Sequence, residues 1–308
     1  MTDFILLGFS YSQEIKYVLF ALVLVIYLVT LIANGLILTV VVANANLHSP
    51  MYFFLWNLSC VDLFYSTTSI PKGLEGFLKE RNLITFYGCA AQMYFALSLG
   101  IVQCILLAVM AWDRYIAICY PLNYTLIMNT GTCCKLAAIT WCNGFLLSVV
   151  HVSVTLPLPR CGKNVVDYAT CEVTAVLRLA CGDIRLSEIV IFVMSVGILL
   201  VPLSLVLFSY TYIVATILKM PTAEGRRRAF STCSSHLVVV TLFYGSAMVM
   251  YLRPRSMVSP EKDKVISVFY AVLTPALNPL IYTLRNKEVK GALKTLLPRA
   301  VVFSWPDL

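Results

Sequence analysis

The polar side chains best suited to chemistry in this sequence are set inside long apolar stretches. Asp62 follows a stretch from residue 17 to 61 without Asp, Glu, Lys or Arg, and it precedes another from 63 to 71. Three amides lie at comparable depths in the first, third and seventh predicted spans: Asn34, Gln103 and Asn278. Polar groups in apolar surroundings need partners, so we expect one shared polar cluster. Two interpretations stay open: hydrogen bonding that holds helices together, or a switch or cation site.

A second candidate group, Asp113-Arg114-Tyr115, lies where the third apolar stretch ends. An adjacent Asp and Arg could form a local ion pair that breaks when a helix bundle opens. The alternative is that Arg114 only extends its charged end to the membrane surface, as long basic side chains do. Taken by itself, the pattern favours this alternative.

Motifs of enzyme chemistry are missing from the sequence. It has no G-x-S-x-G nucleophile elbow, no H-E-x-x-H zinc motif and no pair of carboxylates inside an apolar stretch. The histidines, His48, His151 and His236, are too widely separated to predict a metal site. We therefore expect no enzyme, no cofactor and no metal.

The elements that must position these groups are membrane helices. Of the 308 residues, 60% are hydrophobic and 12% are charged, whereas soluble domains are about 45–50% apolar and about 25% charged. A membrane-spanning helix needs about 20 mainly apolar residues, and its backbone must satisfy its own hydrogen bonds. We predict an all-α integral membrane protein, one seven-transmembrane helix bundle over residues 1–308. The spans are expected near 17–43, 52–72, 86–116, 134–156, 187–218, 229–252 and 264–284.

The segment 286–297 is predicted to be a short C-terminal interfacial helix. Apolar residues recur there at helical spacing and lysines fall between them: Val289, Leu293 and Leu296, with Lys287, Lys290 and Lys294. Such a helix lies along a membrane surface, and the net charge of +8 favours anionic lipid where basic residues cluster. Membrane lipid is therefore an expected partner, and nucleic acid is not.

Cysteine predicts the orientation better than charge does, because the two sides carry nearly equal numbers of Lys and Arg. Four of the eleven cysteines fall on one side: Cys89, Cys161, Cys171 and Cys181. Disulfides persist only in oxidising compartments, so that side is expected to be extracellular. The alternative is four unpaired thiols. We expect an extracellular N-terminus, a cytoplasmic C-terminus and a location in the plasma membrane.

Six segments together carry a specific resemblance to a known family. They are FILLGFS (4–10), Asn34-Gly35, LHSPMYFFLWNLSCVDL (47–63), MAWDRYIAICYPLNY (110–124), RRAFSTCSSHL (227–237) and PALNPLIYTLRNKEV (275–289). With them the chain resembles the vertebrate olfactory (odorant) receptors, rhodopsin-like G-protein-coupled receptors of the larger, tetrapod-type group. The resemblance covers nearly the whole chain.

The resemblance implies a role for each matching position. Asp113, Arg114 and Tyr115 would face a G protein, and Asn278, Pro279 and Tyr282 would form a second switch with Tyr210. Cys89 would pair with Cys171, and Cys161 with Cys181. Tyr244 and Tyr251 would face the odorant. The implied partner is a stimulatory, olfactory-type heterotrimeric G protein that raises cyclic AMP.

Three departures from the family pattern matter. Trp112 occupies a position where the family usually has Tyr. Gln103 replaces a common Glu, which puts a cation site with Asp62 in doubt. The N-terminal segment also lacks the usual glycosylation sequon.

A ligand pocket is expected in the outer half of the bundle. On the third span, helical spacing groups Ala96 and Gly100, whose small side chains leave room. The full predicted lining is Met93, Ala96, Leu97, Gly100, Ile101, Cys104, Met194, Ile198, Leu199, Tyr244, Ala247, Met248, Tyr251, Val268 and Ala271. None of these is charged, so the pocket suits a small neutral molecule with one hydrogen bond to Tyr251 or Tyr244. Some of the set is expected only to pack helices.

The alternative function is a small-solute transporter or channel. That reading needs a polar pathway across the membrane, and beyond Asp62 and a few amides the spans offer none. An odorant receptor is therefore the preferred prediction.

Overall fold

The structure is a computed structural model that describes residues 3–7, 12–79, 81–162, 164–252, 266, 268–285 and 289–292. These residues form six long helices and a seventh that is described from residue 268 onwards. The helices are α1 (Gln13–Ala43), α2 (Pro50–Leu78), α3 (Phe86–Cys119), α4 (Thr130–Thr155), α5 (Arg185–Leu218), α6 (Ala223–Tyr251) and α7 (Thr274–Arg285). A π-helical stretch, Phe269–Leu273, leads directly into α7.

Five of the described helices are long and apolar enough to cross a membrane by themselves: α1, α3, α4, α5 and α6. α2 carries Asp62 at its centre and charged residues near its end, and α7 is described over a shorter length. Together they form the predicted seven-helix membrane bundle. Most helices extend beyond the predicted spans, because charged and polar residues continue the helix outside the apolar region.

α6 shows this extension most clearly. Residues 219–228 look like a basic loop in the sequence, but α6 already begins at Ala223. The Thr222 hydroxyl accepts a hydrogen bond of 3.3 Å from the Gly225 N–H and caps the first turn. The basic run from Arg226 to Arg228 therefore lies on a helix and not in a loop.

α3 is the central helix of the bundle, and it contacts α2, α4, α5 and α6. Most of its middle is buried, from Leu99 through Ile116. α1 is the opposite case: apolar side chains such as Val18 and Ile32 are exposed along it, as lipid-facing residues are. The core of the protein therefore surrounds α3.

The end of the bundle that carries the disulfides, called here the disulfide end, has a small sheet that was not predicted. Its strands are β1 (Phe4–Leu6), β2 (Asn82–Ile84) and β3 (Val165–Val166), in the order β2-β1-β3. β1 pairs antiparallel with β2 and parallel with β3. The N-terminal segment is thus fastened to the loop between α4 and α5.

Both disulfides lie at this end. Cys89, in the first turn of α3, joins Cys171, and Cys161 joins Cys181 within the α4–α5 loop. This is the pairing that the resemblance implies. A short helix, Val173–Leu177, follows Cys171 and is buried against the bundle. The loop is therefore an ordered cover and not a simple connection.

The predicted interfacial helix falls largely outside the described residues. Residues 289–292 are helical, with Val289 buried and Lys290 exposed. This agrees with the predicted apolar and basic faces over that one turn. Residues 286–288 and 293–297 lie outside the described part of the chain.

Candidate ligand cavity and switch region

A cavity of about 60 Å³ lies near the disulfide end, between α3, α5, α6 and the segment that leads into α7. Loop residues from Thr170 to Val173 form its cover. Much of the predicted lining is found in its wall: Met93, Ala96, Leu97, Gly100, Ile101, Cys104, Ile198, Leu199, Ala247 and Tyr251. Helical spacing on α3 found its share because these residues recur every three or four positions.

The other predicted lining residues lie elsewhere. Tyr244 is buried, and its hydroxyl donates a 2.8 Å hydrogen bond to the Cys104 carbonyl, so it joins α6 to α3. Val268 packs against α1 and α2, while Met248 and Ala271 belong to the main apolar core. Met194 lines a second, neighbouring cavity. The sequence pattern could not separate these positions, because it does not reveal how each helix is rotated about its axis.

Gly100 lines the cavity as predicted, but part of the space beside it is occupied. A β-carbon placed there would lie 3.3 Å from the Tyr270 hydroxyl oxygen. Part of the space beside this glycine is therefore filled by an aromatic side chain from the segment before α7.

Several residues of the cavity wall were missed by sequence reasoning: Tyr65, Ser69, His151, Glu172, Val173, Ser195, Phe243, Met250 and Tyr270. Glu172 brings an acidic group to a wall whose predicted lining was uncharged, and the Thr170 hydroxyl lies 3.4 Å from its carboxylate. The only sequence signal for Glu172 in the wall was its position next to Cys171. A disulfide from Cys171 to α3 brings this part of the loop over that helix.

The predicted polar cluster forms around Asp62, which is fully buried in α2. The Asn278 side-chain amide donates to both carboxylate oxygens, at 3.1 and 3.0 Å. The Gln103 amide donates to one of them at 3.4 Å. Three helices therefore meet at one carboxylate, with the amide groups as donors.

Asn34 is the member of the predicted cluster that does not contact Asp62. Its amide donates instead to the backbone carbonyls of Thr30 at 3.0 Å and Pro275 at 3.2 Å. The side chain is fully buried between α1 and α7. Asn34 therefore joins the cluster only through the backbone of α7.

The predicted ion pair between Asp113 and Arg114 is absent from the part of the chain that the structure describes, where both side chains are defined. Adjacent residues of a helix point about 100° apart, so their side chains do not face each other. Asp113 instead accepts a 2.9 Å hydrogen bond from the Tyr124 hydroxyl. Burial raises the pKa of Tyr124, and the nearby Asp113 carboxylate raises it further, so the hydroxyl stays a donor.

Arg114 and Tyr115 leave α3 in different directions. The Arg114 side chain is buried, and its Nε has no hydrogen-bond partner among the described residues. The Tyr115 ring lies in an aromatic group with Trp112, Tyr120, Phe208 and Tyr212, with ring centroids 5.2–6.0 Å apart. Trp112, a departure from the family pattern, thus packs in an aromatic contact with Tyr115.

The Tyr210 hydroxyl in α5 pairs with a residue that sequence reasoning did not select. Its hydroxyl lies 2.8 Å from Nδ1 of His236, and Nε2 of His236 lies 3.1 Å from the Leu107 carbonyl oxygen. A carbonyl can only accept, so Nε2 carries the hydrogen and, in the neutral ring, Tyr210 donates to Nδ1. His236 therefore links α6 to both α3 and α5.

α7 brings the remaining predicted switch residues to the same half of the bundle. Pro279 lies inside the helix one residue after Asn278. Tyr282 is buried, and its hydroxyl has no hydrogen-bond partner among the described residues.

The described residues contain no group of three His, Cys, Asp or Glu side chains that could share a metal ion.

A covered cavity at one end of the bundle and buried polar contacts between helices at the other define a class of protein. It is a seven-helix membrane receptor.

Comparison with known proteins identifies the family within that class. A family model described as "Olfactory receptor" matches residues 23–299. Human olfactory receptor 2F1 is 49% identical over 96% of this chain and 94% of its own length. The dog olfactory receptor-like protein OLF3 is 48% identical over 96% and 93%, and human olfactory receptor 13D1 is 46% identical over 97% and 86%.

This chain belongs to the olfactory receptor family. It is a multi-pass membrane protein and an odorant receptor of the G-protein-coupled class, and it is not an enzyme.

Proposed function

We propose that the covered cavity is the odorant site of this receptor and that its ligand is a small, neutral, mainly apolar molecule. The observation that carries this proposal is the wall itself, which is mostly aliphatic and aromatic, with a few hydroxyl groups, the His151 imidazole and the Glu172 carboxylate. A carboxylic acid would be repelled by Glu172, and a buried unpaired charge is strongly unfavourable. One hydrogen bond to Tyr251 would orient an oxygen-bearing ligand.

The ligand must enlarge the cavity when it binds. A space of about 60 Å³ is smaller than the engineered cavity of about 150 Å³ that holds benzene. Part of the binding free energy is therefore used to move side chains. A ligand of about ten heavy atoms is consequently expected to bind with micromolar affinity.

The bound odorant would activate a stimulatory heterotrimeric G protein and raise cyclic AMP. The support is the family resemblance of the Asp113-Arg114-Tyr115 segment, together with the basic start of α6. Arg226 to Arg228 would border the cleft that receives the G protein. Anionic lipid would contact the tail around Lys290, which is exposed.

The orientation follows from the disulfides. Both would form in an oxidising compartment, so the disulfide end would face the exterior and the C-terminus the cytoplasm of a plasma-membrane receptor. An epitope tag at the N-terminus should be detected on intact cells, and one at the C-terminus only after permeabilisation. The reverse staining would contradict this orientation.

The function can be tested by screening neutral volatiles and matched acids in cells that report cyclic AMP. Ala96→Leu fills the cavity and should reduce the potency of every active volatile. Ala138→Leu is the matched control, because Ala138 is exposed on α4 and outside the cavity. Responses must disappear in cells that lack stimulatory G-protein α subunits. Equal potency of the two variants would contradict the proposed site, and a response that survives without those subunits would contradict the proposed G protein.

A further inference from the structure

A second, larger cavity opens on the side of the bundle that faces the membrane. It measures about 560 Å³ and lies between α3, α4 and α5. Gly197 and Val201 mark its outer edge, and Val201 is 69% exposed. The side chains around it are all apolar: Ile101, Ile105, Ala108, Val109, Leu147, Met194, Ile198, Val201, Pro202 and Leu205, with Gly197. We call it the membrane groove.

The membrane groove and the covered cavity share a wall. Ile101 of α3 and Ile198 of α5 line both spaces. The Cys104 thiol, one turn further along α3, lies 3.2 Å from the Ile198 carbonyl oxygen and faces the covered cavity. A single layer of side chains therefore separates a space open to the bilayer from the ligand cavity.

The route from the disulfide end is closed much more firmly. Cys171 is fully buried and covalently joined to α3 through Cys89. The backbone N–H of Cys171 also donates a buried 2.9 Å hydrogen bond to the Gln92 side chain. Val173, the next apolar residue of the cover, is buried too. Displacing this loop breaks polar contacts, whereas turning two isoleucine side chains breaks none.

We propose that the membrane groove binds the neutral apolar ligand from within the bilayer and passes it between Ile101 and Ile198 into the covered cavity. The inference rests on the proposed function of that cavity. Apolar molecules leave water for the bilayer, and a groove without charged or hydrogen-bonding side chains suits the same chemistry. When Ile101 and Ile198 turn outward, the groove also supplies the volume that the covered cavity lacks.

Gly197 offers a way to block this route. A β-carbon placed there meets nothing within 4 Å, and Gly197 lines the groove but not the covered cavity. Gly197→Leu should therefore fill the groove without disturbing the ligand site. Gly35→Leu is the matched control, because that position on α1 is equally open. Val201→Phe is a second blocking variant at an exposed position, in case Gly197→Leu does not fold.

Native cysteines report the access route. The full-length receptor in lipid nanodiscs is treated with methyl methanethiosulfonate, a small neutral thiol reagent, and modification is followed by mass spectrometry. Cys104 reports arrival in the covered cavity, and Cys142, which is free and exposed on α4, reports the reagent concentration in the bilayer. A charged, water-soluble methanethiosulfonate serves as the second reagent.

The Cys104 rate, divided by the Cys142 rate, should fall about tenfold in Gly197→Leu and Val201→Phe, as expected for a modest added barrier, and stay unchanged in Gly35→Leu. The charged reagent should label Cys104 much more slowly than the neutral one. Unchanged Cys104 labelling in both blocking variants would overturn the proposal. Because no odorant response is measured, a failure here is distinct from a failure of the proposed function.

Discussion

The side-chain amide of Asn34 in α1 donates a 3.2 Å hydrogen bond to the backbone carbonyl oxygen of Pro275 at the start of α7. In a regular helix that carbonyl would accept from the N–H four residues later, but that residue is Pro279, which has none. The buried amide of one helix thus satisfies the carbonyl that a proline leaves free in another. This contact holds α7 against α1.

Asn34→Ala should lower the stability of the receptor by about 1–3 kcal/mol, because it leaves the buried Pro275 carbonyl without a donor. Thermal unfolding of the purified protein measures the effect. Thr39→Ala is the control: Thr39 lies on the same helix, is exposed and bonds only to the local Gly35 carbonyl. In a Pro279→Ala background the backbone N–H of residue 279 can donate to the Pro275 carbonyl. Asn34→Ala should then lower the stability by a smaller amount. Equal losses of stability in both backgrounds would show that Asn34 does not replace the hydrogen-bond donor that Pro279 lacks.

Arg114→Ala should abolish signalling while surface expression and odorant binding remain largely intact. Arg114 lies far from the covered cavity, and its proposed role is contact with the G protein after the bundle opens. Cyclic AMP responses are compared at matched surface levels. Normal signalling by Arg114→Ala would contradict the proposed contact with the G protein.

Asp113→Asn should raise basal activity by loosening the closed bundle. The structure identifies the partner as Tyr124, whose hydroxyl donates to Asp113 at 2.9 Å, so Tyr124→Phe should raise basal activity as well. Ligand-free cyclic AMP at matched expression is the measurement, with Tyr87→Phe, at an exposed position outside the switch region, as the tyrosine control. If Asp113→Asn activates the receptor and Tyr124→Phe does not, the hydrogen bond between them is not the latch.

His236→Leu should also increase ligand-free signalling, because it removes the two hydrogen bonds that His236 makes from α6, one to α3 and one to α5. A ligand can shift the balance between the inactive and active states only by the difference in its affinity for them. Because a small odorant binds weakly, only a few such contacts can stabilise the inactive state. Tyr210→Phe removes one of the two contacts and should have a smaller effect. The exposed Ser231 provides a control as Ser231→Ala. Wild-type basal activity in His236→Leu, at normal surface expression, would contradict a role in holding the bundle closed.

Tyr251→Phe should weaken oxygen-bearing odorants by about 0.5–1.5 kcal/mol, the net contribution of one hydrogen bond. Hydrocarbon ligands should be nearly unaffected. Concentration–response curves for paired alcohols and alkenes test this, with Tyr87→Phe as control because Tyr87 is 76% exposed and outside the cavity. Equal loss for both ligand classes would mean that Tyr251 packs against the ligand and does not hydrogen-bond to it.

The residues of α3 show which features of the cavity can be predicted from the spacing of residues along one helix. Met93, Leu97, Gly100, Ile101 and Cys104 were placed on the cavity by helical spacing alone, and the structure has them there. The same reasoning did not show that the Tyr270 hydroxyl takes up part of the room beside Gly100. Spacing within one helix defines a face, but it contains no information on which side chain of another helix fills the space opposite.

The sequence by itself determined the seven membrane helices, the depth of Asp62 and the cysteines at one end, because lipid requires long apolar helices and oxidised thiols need a common side. Tertiary structure alone decided that Asp113 bonds to Tyr124, that Tyr210 bonds to His236 and that Asn34 reaches Pro275. These partners depend on the rotation and depth of each helix. Rotation and depth are set by many weak packing contacts spread along the whole helix, and no short segment encodes them.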